Sequence, residues 1–212
     1  MEKRIAGFGN YDTNTCMNTS TRERLVEAAS ELFAERGYVG ASVRDICNLA
    51  RANPGAISYH FGGKRQLYRS VLRNAAAKLA LAGAPPEGDG ESDEVVDILQ
   101  VARSLFRRLD SDPVAVRLLL RDLADGGSLA VEALEPGIRN ALDVLQTVYG
   151  SSDAPRASAE TGLLFLQLAA PVFMLAAIWP AVARPLELGG VDREALLHEL
   201  TRRALPQDRG GG

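Results

Sequence analysis

The stretch "RANPGAISYHFGGKRQLY", Arg51 to Tyr68, decides the fold because it places a short neutral helix beside concentrated positive charge. Pro54 to Phe61 contains no Lys, Arg, Asp or Glu, whereas Gly62 to Arg73 contains four basic residues and no acid. Asn53 followed by Pro54 is a helix start signal, since Asn caps and Pro suits the first helical position. The two glycines from Gly62 end that helix after about two turns.

Two helices precede this short one. Ser20 opens the first and has Glu23 in the capping-box position, and Gly37 ends it. Ser42 starts the second, which is short. The apolar residues at helical spacing are Leu25, Ala28, Ala29, Leu32 and Phe33 in the first helix and Val43, Ile46, Cys47 and Ala50 in the second. Two short helices joined by a turn of about three or four residues form a helix-turn-helix motif.

The second helix of such a motif enters the major groove of DNA with its N-terminus first. Gly55, Ala56 and Ser58 are small enough for close approach, and the free N–H groups at the helix start favour a phosphate. Ser58, Tyr59 and His60 offer hydrogen-bond donors and acceptors to bases or to the backbone. The pattern predicts a DNA-reading element.

The charge distribution agrees with an anionic partner at one end of the molecule. Net charge is −3, but residues 1–82 hold 12 Lys and Arg against 7 Asp and Glu, and residues 83–212 hold 12 against 20. Arg44, Lys64 and Arg65 flank the neutral helix, where cations reach phosphates without carrying sequence information. A basic N-terminal part on an acidic body therefore suggests an anionic partner at one end only.

The stretches "TRERLVEAASELFAERGYVGASVRDI" and "ANPGAISYHFGGKRQLY" carry a specific resemblance. Residues 20–68 resemble the N-terminal domain of TetR-family transcriptional regulators. The form "ISYHFGGK" is similar to the subgroup with a CerR-type C-terminal domain, and "VRLLLRDLAD", Val116 to Asp125, supports that subgroup weakly.

The resemblance implies an all-α fold: a three-helix DNA-binding domain and a fourth helix that leads to a larger ligand-binding and dimerisation domain. The family's DNA contacts map onto Ser42, Arg44, Asn53, Gly55, Ala56, Ser58, Tyr59, His60 and Lys64. Two positions depart from the family. Arg51 replaces a turn glycine that often has positive φ, so it strains the turn or reaches a phosphate. Ser58 replaces a frequent Tyr, which bears on operator sequence.

The expected organisation has four parts. Residues 1–19 form an arm, residues 20–66 form the DNA-binding domain, residues 67–205 form the effector-binding and dimerisation domain, and residues 206–212 form a disordered tail. The stretch "GAPPEGDGESD", residues 83–93, is a flexible connection rich in Pro, Gly and acid. Met17 is an alternative start.

Several function classes find no support in the sequence. Cys47 lies in an apolar helical position and is expected to be a buried free thiol, and no signal peptide is evident, so Cys16 and Cys47 fit a reducing cytoplasm. No Ser-His-Asp order, phosphate-binding Gly loop or buried acid pair stands out. We expect no catalytic residue, no cofactor and no metal site.

Thr161 to Ala183 contains no charged residue over 23 positions, which is long enough to cross a membrane. Gln167, Pro171 and Pro180 interrupt it, and the surrounding segments are amphipathic. We expect a helix buried partly in its own domain and partly against a second copy, since an all-apolar helix needs cover on every side. Anchoring in a membrane is the less favoured interpretation.

The ligand-binding candidates are Arg117, Arg121, Gln167, Phe173, Met174 and Trp179. Arg117 and Arg121 lie four apart and share one helix face. Surface pairing with Asp122 and Asp125 is the default expectation for them, and contact with an anionic ligand is the functional alternative. The aromatic and Met residues favour core or interface over a ligand site. The acidic, Leu- and Ala-rich body suggests a mainly apolar pocket.

The sequence predicts a homodimeric, sequence-specific DNA-binding regulator, a repressor that an unidentified small-molecule effector releases from a palindromic operator. Its expected partners are double-stranded DNA, a second copy and that effector, with no membrane. The alternative is a helical protein–protein adaptor with a basic N-terminal face. An adaptor would select no DNA sequence at a salt concentration that removes bulk DNA.

Overall fold

The computed structural model describes residues 20–79, 98–149 and 154–204, and the regular structure within these ranges is helical throughout. The all-α prediction is confirmed. The predicted arm with Cys16 and Met17, the connection at 83–93 and the tail at 206–212 lie outside the described residues.

The N-terminal helices are α1 (Thr21–Gly40), α2 (Val43–Leu49), α3 (Gly55–Phe61) and α4 (Lys64–Leu79). The remaining helices are α5 (Ile98–Ser111), α6 (Pro113–Ala124), α7 (Ser128–Tyr149), α8 (Ala154–Phe173), α9 (Trp179–Val182) and α10 (Arg193–Ala204). A π-helical turn, Met174–Ile178, joins α8 to α9. Helix α1 packs on α4 and α6, and α4 also packs on α7.

Helix α1 begins with the predicted capping box. The Ser20 N–H donates to Glu23 Oε2 over 2.8 Å, and the Glu23 N–H donates to Ser20 Oγ over 3.2 Å. The hydrogen bond from the Ser20 backbone lowers the pKa of the Glu23 carboxyl. Gly37, with φ 71°, interrupts the helix where the sequence predicts its end, and one more turn follows to Gly40.

Helix caps and a long-range hydrogen bond from Arg24 hold the helix-turn-helix together. Ser42 Oγ accepts from the Asp45 N–H over 3.0 Å and donates to Asp45 Oδ2 over 2.7 Å, which lowers the pKa of that carboxyl. Arg24 Nε donates to the Ala50 carbonyl over 3.3 Å and so ties the end of α2 to α1. Arg51 follows with φ 50°, the left-handed conformation that the family glycine predicts.

The core of the first three helices continues without a break into the rest of the molecule. Phe33, Ile46 and Ile57, one from each of α1, α2 and α3, are fully buried. They belong to the same apolar cluster as Leu67 of α4 and Leu118 of α6. Cys47 is buried as predicted, and burial raises the pKa of its thiol.

Three aromatic rings mark the junction between the N-terminal helices and the body. The Tyr68 centroid lies 4.7 Å from that of Phe33 and 5.0 Å from that of Tyr38. Lys64 Nζ lies 4.5 Å from the centre of the Tyr38 ring, within the range of a cation–π contact. This aromatic cluster (Phe33, Tyr38 and Tyr68) therefore joins the start of α4 to α1.

Asp122 is buried, so the expectation of a surface pair with Arg117 or Arg121 is wrong. Its Oδ1 accepts from the Tyr68 hydroxyl over 2.9 Å, and its Oδ2 accepts from the Ala130 N–H over 2.9 Å. The carboxylate thus links α4, α6 and the first turn of α7, where a negative charge is favourable. Burial, together with the hydrogen bond to Asp122, raises the pKa of the Tyr68 hydroxyl.

Two glycines permit close packing at the end of α6, one against Asp122 and one against Arg121. A Cβ at Gly127 would lie 2.5 Å from the Asp122 carboxylate, and one at Gly37 would lie 2.8 Å from Arg121 Nε. Because Gly37 has no side chain, Arg121 can lie close to α1, where its Nη1 donates to the Glu35 carbonyl over 2.9 Å. The end of α6 is consequently fastened to α1 through Arg121 and to α4 through Asp122.

The apolar segment of α8 is largely exposed. By length and composition alone, Ala159–Ile178 would suffice to cross a membrane, and 28% of its most apolar window is buried. Pro171 lies inside the helix, and the π-helical turn begins three residues later. Leu163, Leu166 and Met174 remain 61%, 62% and 51% exposed. The predicted burial against its own domain is therefore partial in the single chain.

Replacing Arg51 by Gly should stabilise the fold, because Gly adopts φ 50° without the steric cost that an L side chain meets. Arg51→Ala is the matched control, since it removes the charge and keeps the backbone constraint. We expect Arg51→Gly to exceed Arg51→Ala by about 1 kcal/mol in the free energy of unfolding. Urea denaturation measures this difference, and equal stability of the two variants would contradict it.

Removing the Tyr68 hydroxyl should destabilise the protein, because the buried Asp122 carboxylate then loses one of two donors. Tyr68→Phe is expected to lower the free energy of unfolding by about 1–3 kcal/mol. Tyr38→Phe, in the same aromatic cluster, should change it by no more than about 0.5 kcal/mol. Denaturant titration of both variants measures the difference. If Tyr68→Phe were as stable as the wild type, the hydrogen bond to Asp122 would not stabilise the fold.

Candidate functional site

Helix α3 presents one continuous part of its surface, Ser58 to His60, to solvent. Ile57 is its buried residue and anchors it to the core, while Ser58, Tyr59 and His60 are exposed. The Tyr59 side chain is 85% exposed, although a large aromatic residue normally finds cover. The helix is thus held by Ile57, with Ala56 and Phe61 packed partly against the core, and it offers a neutral outer face.

The start of α3 is ordered by Asn53, as the sequence predicts. Asn53 Oδ1 accepts from the Gly55 N–H over 2.9 Å and satisfies one of the donors at the helix start. A Cβ at Gly55 would meet that same oxygen at 3.4 Å, which is an ordinary contact. The chain's own packing therefore does not demand glycine here. Glycine here leaves room beside the start of the helix, and Ala56 next to it is also small.

The exposed aromatic residues of α3 support one another. The Tyr59 and His60 rings meet edge to face with centroids 4.9 Å apart. Phe61 closes the helix with the Arg22 guanidinium 5.1 Å from its ring centre. Gly62 then turns the chain with φ 79°. The exposed Tyr59 and His60 rings therefore lie against each other.

The two flanking elements hold the remaining predicted DNA contacts. Ser42 is exposed at the start of α2, but its hydroxyl is engaged in the cap of that helix. Arg44, two residues further on, is also exposed. Lys64 lies half-buried at the start of α4, where the Tyr38 ring holds its ammonium group. The structure places all nine predicted residues on α2, α3, the turn before α3 or the start of α4.

A cavity of about 570 Å³ opens among α4, α5, α6, α7 and α8. Its walls are mostly apolar, with Leu105, Leu119, Ala133 and Phe165 among them. The charged residues of the lining are Arg73 of α4 and Glu132 of α7, which pair with each other over 2.7 Å. A volume of this size suits a small organic molecule.

The structure does not gather the six predicted ligand residues at this cavity. Phe173 lines it. Arg121 instead bonds to α1, and Arg117, Gln167 and Met174 are exposed. Trp179 packs against the main core. The prediction missed the walls supplied by α4, α5 and α7, because their apolar residues at helical spacing carry the same signal as an ordinary core.

Among residues 20–79, 98–149 and 154–204, no group of three His, Cys, Asp or Glu side chains is arranged to hold a metal ion.

The comparisons with known proteins agree with this arrangement. The family model for bacterial regulatory proteins of the tetR family matches residues 25–71, from α1 into α4. The HTH-type transcriptional repressor AcnR of Corynebacterium glutamicum is 33% identical over 102 residues, which cover 45% of this chain and 54% of AcnR. An HTH-type transcriptional repressor of Mycobacterium tuberculosis is 32% identical over 128 residues, or 60% of each chain. The chain thus spans 54% to 60% of the length of these relatives.

Solved structures extend the likeness beyond the N-terminal helices. The crystal structure of a transcriptional regulator of Streptomyces coelicolor matches with a TM-score of 0.66 at 25% identity, covering 88% of this chain and 99% of that one. A regulator of Aquifex aeolicus, at 20% identity and a TM-score of 0.60, shares the fold. These relatives and neighbours are transcriptional regulators, not enzymes, and the CerR-type subgroup stays a prediction. Residues 25–71 thus match the tetR family of bacterial regulatory proteins, and the exposed α3 and the helical fold of the described residues agree with that match.

Proposed function

We propose that the chain is a sequence-specific DNA-binding transcriptional regulator that acts in the cytoplasm as a homodimer. In this proposal it represses from a palindromic operator until a small-molecule ligand releases it. One observation carries the proposal: α3 keeps a single buried residue, Ile57, and exposes a neutral face that begins with Asn53, Pro54 and Gly55. A helix that served only to fill the core would bury more of its surface.

In this proposal some residues on the outer face of α3 contact DNA bases and others contact the DNA phosphate backbone. Gly55 and Ala56 let the start of the helix approach the groove floor, where Ala56 suits a thymine methyl group. Ser58 both donates and accepts hydrogen bonds, so it suits a base edge. Tyr59 and Lys64 suit phosphates, which position the protein without selecting sequence. Arg44 at the start of α2 adds a further phosphate contact.

Two substitutions on α3 should have different effects on DNA binding. Tyr59→Ala should weaken binding to every DNA sequence alike, because it removes a phosphate contact. Ser58→Ala should change base preference at one operator position by about 1–3 kcal/mol, because it removes a base contact. Titration of the selected operator and of single-base variants measures both effects.

The control for these titrations is Glu31→Ala, an exposed residue of α1 outside the predicted interface. It should leave operator affinity within about twofold of wild type. Unchanged operator affinity in both α3 variants would reject the residue assignment. A chain that selects no sequence from a mixed DNA pool at elevated salt would reject the function and favour an adaptor.

The exposed apolar stripe of α8 is the proposed dimer surface. Leu163, Leu166, Phe173 and Met174 recur at helical spacing and are exposed in the single chain. An exposed apolar face of this kind marks an interaction site, and a second copy supplies the same face through a two-fold axis. Two α3 helices held by that axis meet successive major grooves roughly 34–36 Å apart, which requires a palindromic operator.

A charge in the stripe should dissociate the dimer. Leu166→Glu places a carboxylate in an interface that is apolar on both sides, where an unpaired charge is costly. We expect sedimentation velocity to show a monomer and operator binding to weaken. Val39→Glu, at a position 92% exposed in the N-terminal part, is the matched control and should leave the dimer intact. A wild-type chain that sediments as a monomer, or a dimeric Leu166→Glu variant, would contradict the α8 interface.

Ligand release is supported by the position of the cavity beside the attachments of α6. Leu119, Leu120 and Leu123 of α6 line the cavity, and Asp122 and Arg121 of the same helix hold Tyr68 and the Glu35 carbonyl. A ligand that favours a different position of α6 therefore also shifts α1 and α4, which carry the α3 helix. A difference in ligand affinity between the two arrangements is required, and coupling of about 1–3 kcal/mol is typical.

A further inference from the structure

Two arginines and one glutamate form a charged cluster at the cavity. Glu132 of α7 faces two arginines of α4: its Oε1 lies 2.7 Å from Arg73 Nη2, and its Oε2 lies 3.1 Å from Arg69 Nη2. Arg69 and Arg73 are four residues apart and therefore share one helix face. The hydrogen bond from Arg73 lowers the pKa of the Glu132 carboxyl and so favours its ionised form. The cluster has a net charge of +1.

This geometry treats an anion and a cation differently. Arg73 lines the cavity, while Arg69, the other partner of Glu132, is not part of the lining. If an anionic group of a ligand pairs with Arg73, Glu132 stays paired with Arg69 through Oε2. Both the ligand anion and the Glu132 carboxylate then have an arginine partner. A cationic group at Glu132 would stand against two guanidinium groups that already share that carboxylate. The like charges would then repel.

The remainder of the cavity calls for an apolar body on the same molecule. Behind Arg73 and Glu132 the lining comes from Leu, Ala, Val, Ile, Pro, Gly and Phe residues, including Leu109 of α5, Val116 of α6 and Phe173 of α8. Burial of apolar surface supplies most of the affinity in such a site, and a few polar groups fix the orientation. The polar groups here stand together at one position on the α4–α7 side.

We propose that the cavity binds an amphiphile with one anionic head group, such as a carboxylic acid with an aliphatic body, whose head pairs with Arg73. This inference rests on the proposed function, in which this cavity is the effector site. The apolar body lies between α5, α6 and α8, and Glu132 stays paired with Arg69. Arg73 is the residue that selects the head group.

Calorimetric titration of the full chain, without DNA, tests the selection with three matched probes: octanoate, octan-1-ol and octylammonium. Octanoate should bind at least about threefold more tightly than octan-1-ol, and octylammonium should bind most weakly, as expected for a partly exposed ion pair. The advantage of octanoate should shrink as ionic strength rises. Equal affinities, the best affinity for the cation, or no binding of any probe would overturn the proposal.

Two variants locate the effect. Arg73→Gln should bring octanoate to within about twofold of octan-1-ol. Arg107→Gln, which breaks a similarly exposed pair with Glu194 away from the cavity, should keep the wild-type preference. Ala77→Trp, at an exposed position of the cavity lining, should weaken all three probes. Retained preference in Arg73→Gln, or unchanged binding in Ala77→Trp, would place the site elsewhere and reject the proposal.

The outcomes separate this inference from the proposed function. The probe titrations use no DNA, so they report the cavity alone, whereas operator titrations report DNA binding alone. If the protein selects octanoate through Arg73 but selects no operator, the ligand site is supported and the regulator function is rejected. If the protein binds its operator but shows no head-group preference, the regulator function is supported and the anionic ligand is rejected.

Discussion

The buried carboxylate of Asp122 is the constraint on which the arrangement of this molecule depends. A charge in the core is tolerated only when donors surround it, and here the Tyr68 hydroxyl and the Ala130 N–H provide two. Those donors belong to α4 and α7, whereas Asp122 belongs to α6. Satisfying one side chain therefore fixes three helices relative to one another, and Gly127 makes room for it.

This constraint connects the two ends of the proposed mechanism. The aromatic cluster passes from Tyr68 to Tyr38, above which Lys64 stands at the edge of the proposed DNA interface. On the other side, α6 and α7 form walls of the cavity. Packed side chains of this kind move between discrete arrangements, which is the physical requirement for coupling between distant sites. The proposed ligand site and the proposed reading helix share these contacts.

Much of the N-terminal part could be predicted because its signals are local. The Ser20 and Glu23 capping box, the breaks at Gly37 and Gly62 and the Asn53 start signal each depend on residues within one helical turn, and each appears in the structure. Asp122 could not be predicted. A charged residue next to Arg121 is typical of a surface position. Its donor, the Tyr68 hydroxyl, is 54 residues away in the chain, and helical periodicity does not reveal such a distant contact.

The sequence by itself determined the helical class, the position of the helix-turn-helix and the neutrality of α3, since caps, breaks and charge runs act over a few residues. Tertiary structure alone decided which apolar residues enclose the cavity, that Arg69 and Arg73 share Glu132, and that the α8 stripe stays exposed in the single chain. The physical reason is common to all three: burial and ion pairing depend on which helix faces meet, and helical periodicity says that a face is apolar without naming its neighbour.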